Sequence, residues 1–361
     1  MSMDTVSYMD MFGLNQKQLN VLYSIEVVSA EKDAAMNGKN HWTEKARWIR
    51  HWRELLEETG EVHFYPELEI PYMIQRCDDG INRIWFYLVM MEASLFAPYF
   101  PFAADKGDKE AQKANREYAK LKYAPQTGYL EELARNSGLM EPSYVKRFQK
   151  AYQKAHFRIS GGIKNIALGG LSIVAASGLI AATAGAFAGP IAVALVGSNF
   201  AGLSGAALVS ASLAYLGGGA IAAGGAGMAG GVAAIVGGGA ILGAAGGGAM
   251  VSAAGAISKN FPDLMLTQAA KLDVVMREIL LNAQADVQNA QIVMAKLKEK
   301  IHEMQRQLDD LQMGREKDRK EMDALKKALQ YMREAYQDMN RFQSAYETGQ
   351  TFNQQLRKRG P

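Results

Sequence analysis

The feature that most constrains this chain is a long apolar run without charge. From residue 165 to residue 258 the sequence holds no Asp, Glu, Lys, Arg or His, a stretch of 94 residues, where one membrane-spanning helix needs about 20. Residues 161–257 carry 26 of the chain's 36 glycines, set among Ala, Leu, Ile, Val and Ser. A helix with one face in water is amphipathic, because only one stripe of it can be buried. This run has no charged face to offer water, so it is expected to lie in a bilayer or sealed inside an assembly. Breaks are expected at Gly189 and Pro190 and at the glycine triplets 217–219 and 237–239, since Gly and Pro are poor interior helix residues. They leave four stretches near spanning length, 163–188, 190–216, 220–236 and 240–257, with a two-pass hairpin as the alternative. Both counts are even, so both flanks are expected on the same side.

Small residues in the run recur every four positions. Gly185 and Gly189 form one such pair, and Gly219, Ala223, Gly227, Gly231, Ile235, Gly239, Gly243 and Gly247 form a series in which only Ile235 is large. Residues four apart share a helix face, and small side chains there let two backbones approach closely in lipid. Chance recurrence in a Gly/Ala-rich composition is the plainer alternative. Gly225, Gly227 and Gly230 match a dinucleotide-binding spacing, but no strand pattern precedes them and no acidic residue follows at about 20 positions. No nucleotide cofactor is expected.

The first flank reads as a soluble helical domain over residues 1–143. Apolar residues at helical spacing predict a helix over 15–36, and Trp42, Trp48, Ile49, Trp52, Leu55 and Leu56 predict another over 42–59. These indoles are expected in a small core. An interfacial aromatic belt is the competing reading, disfavoured because Glu44, Glu54, Glu57 and Glu58 would be repelled by an anionic surface. Residues 81–102 are too short and too interrupted by Glu92 and Pro98 to span a membrane, so a buried helix with Glu92 as a partnered core carboxylate is expected. A charged helix over 105–123, a turn at 125–128 and a helix start at Glu141, Pro142 and Ser143 follow.

Nothing in this flank assembles into catalytic chemistry. His41, His51 and His63 have no zinc-ligand spacing, Cys77 has no matched His and cannot form an internal disulfide, and phosphate loops and nucleophile elbows are missing. The chain is read as a non-enzyme with no metal or cofactor, although an unrecognised active site within 1–160 is a third and weaker possibility. A net charge of +3 supplies no basic field for nucleic acid. The first ten residues lack the basic and apolar regions of a signal peptide, so no secretory leader is expected.

Residues 144–164 read as a basic, aromatic membrane-approach helix. Lys146, Arg147, Lys150, Lys154, Arg158 and Lys164 crowd the start of the apolar run, where positive charge favours the cytoplasmic side and attracts anionic headgroups. Tyr144, Phe148, Tyr152 and Phe157 are expected at headgroup level. A solvated helix face is the alternative. Beyond the run, Ala290, Met294, Leu297, Ile301, Met304, Leu308 and Leu311, then Met322, Leu325, Leu329, Met332, Tyr336 and Met339, form heptad seams that predict a coiled coil over 264–346. Phase continuity across Gly314, Arg315 and Asp318 favours one continuous rod slightly over an antiparallel hairpin. Residues 347–361 read as a flexible basic tail.

The order of these parts, a helical domain, a basic approach, a charge-free Gly/Ala segment and a heptad rod, resembles α-helical pore-forming proteins of the cytolysin-A type. It is also similar to the hydrophobic translocators of type III secretion, and the Gly/Ala run to the glycine-zipper segments of membrane-active bacterial effectors. The resemblance implies an all-α, membrane-inserting, oligomeric effector that permeabilises a lipid bilayer. Its partners would be the bilayer, further copies of itself and a neutralising or recruiting protein. It would be multi-pass in a bacterial inner membrane or a target-cell membrane, with both flanks cytoplasmic. A constitutive membrane scaffold that recruits a partner is the alternative.

Overall fold

The computed structural model describes residues 14–36, 41–57, 62–102, 109–162, 261–313 and 319–358, with three isolated positions at 203, 207 and 211. Among these the fold is all-α, with ten α-helices and no strand. In chain order they are α1 (Gln16–Met36), α2 (Trp42–Glu57), α3 (Ile70–Cys77, led by a 3₁₀ turn Glu67–Glu69), α4 (Ile84–Leu95) and α5 (Lys109–Tyr118). Then come α6 (Thr127–Ser137), α7 (Ser143–Ile159), α8 (Phe261–Val274), α9 (Val287–Met313) and α10 (Arg319–Lys358). A π-helical segment, Val275–Ala283, continues α8. Apart from those three positions, the apolar run with its zipper positions Gly185, Gly189, Gly219, Gly227, Gly231, Gly239, Gly243 and Gly247, and Lys164 beside it, lie outside the described residues.

Two helices are buried on every side and organise the rest. In α1 every residue from Gln18 to Ala30 is buried, and in α4 every residue from Ile84 to Ser94. A helix with no polar face belongs inside a core, and α1 packs against α2, α3 and α4 while α4 packs against α1, α6, α7 and the π segment. Several of the polar groups this buries are hydrogen-bonded, although the Trp85 indole N–H on α4 finds no acceptor among the described residues. The start of α1 is a capping box in which the Asn15 backbone N–H donates to Gln18 Oε1 at 2.9 Å and the Gln18 N–H donates to Asn15 Oδ1 at 3.0 Å. Farther along, Ser24 Oγ accepts from the Tyr65 N–H at 2.8 Å.

The expected tryptophan core is present, with one correction. Trp48 and Trp52 are buried and stacked at 5.3 Å, and Trp48 Nε1 donates to the Phe100 carbonyl at 2.9 Å, whereas Trp42 is 54% exposed. Residues 81–102 contain a buried helix as expected, but it ends at Leu95 and the chain runs on without regular structure through Phe100 and Phe102, which edge onto and stack over Trp48. The expected charged helix is described only over Lys109–Tyr118, and the anticipated turn at 125–128 instead opens α6 at Thr127.

Two expectations about the second half change. The heptad seams do not make one rod. Gln291 on α9 bonds Glu347 on α10, and Gln305 on α9 bonds Arg333 on α10, so positions rise on one helix as they fall on the other and the pair is an antiparallel hairpin. Residues Ala328, Tyr331 and Ala335 are buried beside the seam residues Leu325, Leu329 and Met332, which widens the apolar stripe beyond two-stranded need. Accordingly α10 packs on α7 and α8 as well as on α9. The boundaries expected near 143 and 264 also fall inside one continuous apolar core, which runs from Leu14 to Met339 and joins both flanks of the run.

Candidate functional site at the ends of the apolar run

The described structure comes nearest to the apolar run where α7 stops and α8 starts. Helix α7 begins with Pro142 at its N-cap, where a missing N–H costs nothing. It ends in a Schellman motif: the Gly162 N–H donates to the Phe157 carbonyl at 2.9 Å and the Gly161 N–H to the Arg158 carbonyl at 3.1 Å. Both glycines have positive φ, 75° and 67°, a conformation that glycine adopts without a Cβ clash. A Cβ on Gly162 would also stand 3.3 Å from the Phe157 ring.

Helices α7 and α8 run antiparallel. Arg147 pairs with Glu278 in the continuation of α8, Tyr152 bonds Thr267, and His156 feels the charge of Asp263, so along these three the partner number falls as the α7 number rises, while the long Arg158 side chain reaches back to Asp273. The two ends that bound residues 163–260 therefore lie side by side at one end of the bundle.

This stem is clamped by charge in two places. Lys271 Nζ on α8 donates to Glu92 Oε2 on α4 at 2.8 Å, with the two side chains 1% and 0% exposed. That is the partnered core carboxylate expected from the sequence, and its partner comes from beyond the run. The second clamp is a network in which Arg158 Nε donates to Asp338 Oδ2 at 2.6 Å and Arg158 Nη2 to Asp273 Oδ2 at 3.2 Å. Arg277 bonds the same two carboxylates at 2.8 and 2.7 Å and lies over the Phe342 ring at 4.3 Å. Burial raises the Asp273 carboxyl above the usual carboxylate range, against the pull of Arg277 and Arg158. Burial likewise pushes Tyr152 up to about 12 and His156 below the ordinary histidine value, with Asp263 opposing the latter.

The six basic residues singled out by sequence divide sharply here. Lys146 pairs with Glu131 at 2.9 Å, Arg147 with Glu278 at 2.5 Å, and Arg158 joins the network above. Lys150 and Lys154 are exposed, and no acidic side chain among the described residues pairs with them. The aromatic expectation is corrected: Tyr144, Phe148 and Tyr152 are buried in the helical core rather than displayed for headgroups, and only Phe157, 44% exposed, reaches the surface. Their 3–4 spacing announced a buried face, but spacing says nothing about whether lipid or protein covers it. Sequence reasoning also missed Asp273, Arg277 and Asp338, whose roles depend on a fold-back that heptad phase did not reveal.

Elsewhere the chemistry is sparse. Among the described residues no cluster of His, Cys, Asp and Glu could hold a metal ion. Cys77 is half-buried and its thiol is raised by burial, the reverse of nucleophile activation. His51 stacks on Phe102 at 4.2 Å. A groove of about 460 Å³ lies between α1 and α2, lined by Ala34, Trp42, Ala46 and Ile49 and rimmed by charge. No described helix is long and apolar enough to cross a membrane. No family model, curated protein or solved structure matches this chain.

Proposed function

We propose that the protein is a membrane-inserting, oligomeric effector that permeabilises a lipid bilayer through residues 165–258, with the helical body as the base that carries them. The observation that carries this reading is the charge-free run of 94 residues set between two antiparallel helices, α7 and α8, that are joined by Arg158 and Asp273, with α8 further tied to α4 by the buried Lys271–Glu92 pair. A bilayer is the solvent in which such a run needs no charged face. Because both ends leave the same end of one folded body, an inserted run would cross an even number of times and keep both flanks on one side. The small-residue positions Gly227, Gly231, Gly239, Gly243 and Gly247 would bring helices of different copies into close contact.

The test is dye release from liposomes by the full chain. Leakage should fall at least tenfold when Gly231, Gly239 and Gly243 are each replaced by Ile, and unchanged leakage would remove the zipper from the account. A second reading, a membrane scaffold that recruits a protein partner, is favoured by the groove between α1 and α2 and its half-exposed Trp42. It predicts membrane residence with no leakage.

A further inference from the structure

We infer that the exposed face of α7, centred on Lys150, Lys154 and Phe157, is a docking surface for an anionic phospholipid bilayer. The inference rests on the membrane-inserting reading and narrows it to a lipid class and three side chains. On α7, Tyr144, Val145, Phe148, Tyr152, Ala155, His156 and Ile159 are buried, while Ser143, Lys146, Lys150, Gln153, Lys154, Phe157 and Arg158 are exposed. Position 146 is answered by Glu131, and Arg147 and Arg158 turn to acidic groups of the body. Two lysines one turn apart keep their charge toward solvent. No Asp or Glu occurs in the sequence between Glu141 and Asp263, so the helix and the chain it leads into carry nothing to neutralise them.

Three features favour a lipid surface over another polyanion. The face ends at an exposed phenyl ring, which suits the boundary between headgroup and acyl chain. That ring lies against Gly162, where the chain passes into residues built for lipid. And two lysines beside one apolar side chain supply attraction without a base-reading or phosphate-cradling geometry, which is what an anionic leaflet requires. Arg147 and Arg158 are left out because their guanidinium groups are already committed to Glu278, Asp273 and Asp338.

The test is flotation of the full chain, synthesised cell-free in the presence of vesicles of neutral phosphatidylcholine or of the same lipid with about one third phosphatidylglycerol. The wild-type chain should bind anionic vesicles more tightly. Lys150→Glu with Lys154→Glu should abolish that preference, a loss of about tenfold or more at roughly 1 kcal/mol per lysine, while Lys298→Glu with Lys326→Glu, on exposed sites of α9 and α10, should preserve it. Phe157→Ser should weaken binding to both vesicle types. Equal loss from the two charge-reversed pairs, or no anionic preference in the wild type, overturns the inference. Dye release recorded on the same samples separates the two claims: leakage without lipid preference removes the surface and keeps the permeabilising reading, and preference without leakage does the reverse.

Discussion

The buried pair Asp33–Lys45 joins α1 to α2 across 12 residues of sequence, whereas Glu92–Lys271 joins α4 to α8 across 179. The first belongs to the aromatic N-terminal region, where Asp33 Oδ2 also accepts from Tyr99 Oη at 2.5 Å and Asp33 Oδ1 from the Ala124 N–H at 2.9 Å. The second spans the apolar run and forms only when the two flanks meet. One pair reports local folding. The other reports closure of the body around whatever residues 163–260 do. A buried pair is not by itself a source of net stability, because desolvation offsets attraction, so what separates the two is what each geometry requires of the chain.

The largest effect should come from Lys271→Ala. Taking the ammonium from the buried Glu92 carboxylate should cost about 3–5 kcal/mol, read by urea unfolding of the full chain in detergent. Replacing Glu92 and Lys271 together by Met should recover most of that loss, and a double variant as weak as the single one would mean that the pair positions the helices by more than charge. Lys45→Ala should cost less, about 1–3 kcal/mol, because the Tyr99 and Ala124 donors remain on Asp33. Equal costs at the two sites would dissolve the distinction between local and bridging pairs.

A smaller effect concerns Gln268 on α8, wholly buried with neither amide atom hydrogen-bonded among the described residues. Gln268→Met should stabilise the stem by about 1 kcal/mol, since an unsatisfied buried amide costs about 1–3 kcal/mol. A loss of stability would reveal a polar partner that the static structure does not display.

His156 should make the stem pH-sensitive in one direction. Burial depresses its pKa below the ordinary 6.5, so between the folded value and 6.5 the unfolded chain binds more protons than the folded one. Its contribution is therefore complete above pH 6.5 and is lost as pH falls through the depressed folded value. The midpoint of unfolding should drop on acidification below pH 6.5, and His156→Gln should flatten that dependence. An unaltered slope in the variant would assign the effect to other groups.

The sequence made some of this legible and hid the rest for identifiable reasons. Helices α1 and α2 were readable almost to the residue because apolar residues in the first and tryptophans in the second repeat at helical spacing. Glu92 was readable as a core carboxylate, since an isolated charge within so apolar a segment has to be paired. Lys271, its partner, was not, because nothing local marks a contact 179 residues away. The hairpin of α9 and α10 was hidden for a related reason: heptad phase is the same whether a seam continues or folds back, and only the extra burial of Ala328, Tyr331 and Ala335 betrays a third neighbour. The aromatic stripe of α7 reads identically for a core and for a membrane interface.

The measurement that bears most directly on the central claim is membrane potential, followed with a voltage-sensitive dye in bacterial cells induced to express either the intact chain or one lacking residues 167–254. The flanks pack on each other through α7 and α8, so the deleted chain should keep its helical body and accumulate. Rapid depolarisation by the intact chain and none by the deleted one is the predicted result. A normal potential with the intact chain in the membrane fraction would contradict permeabilisation and leave the scaffold reading in its place.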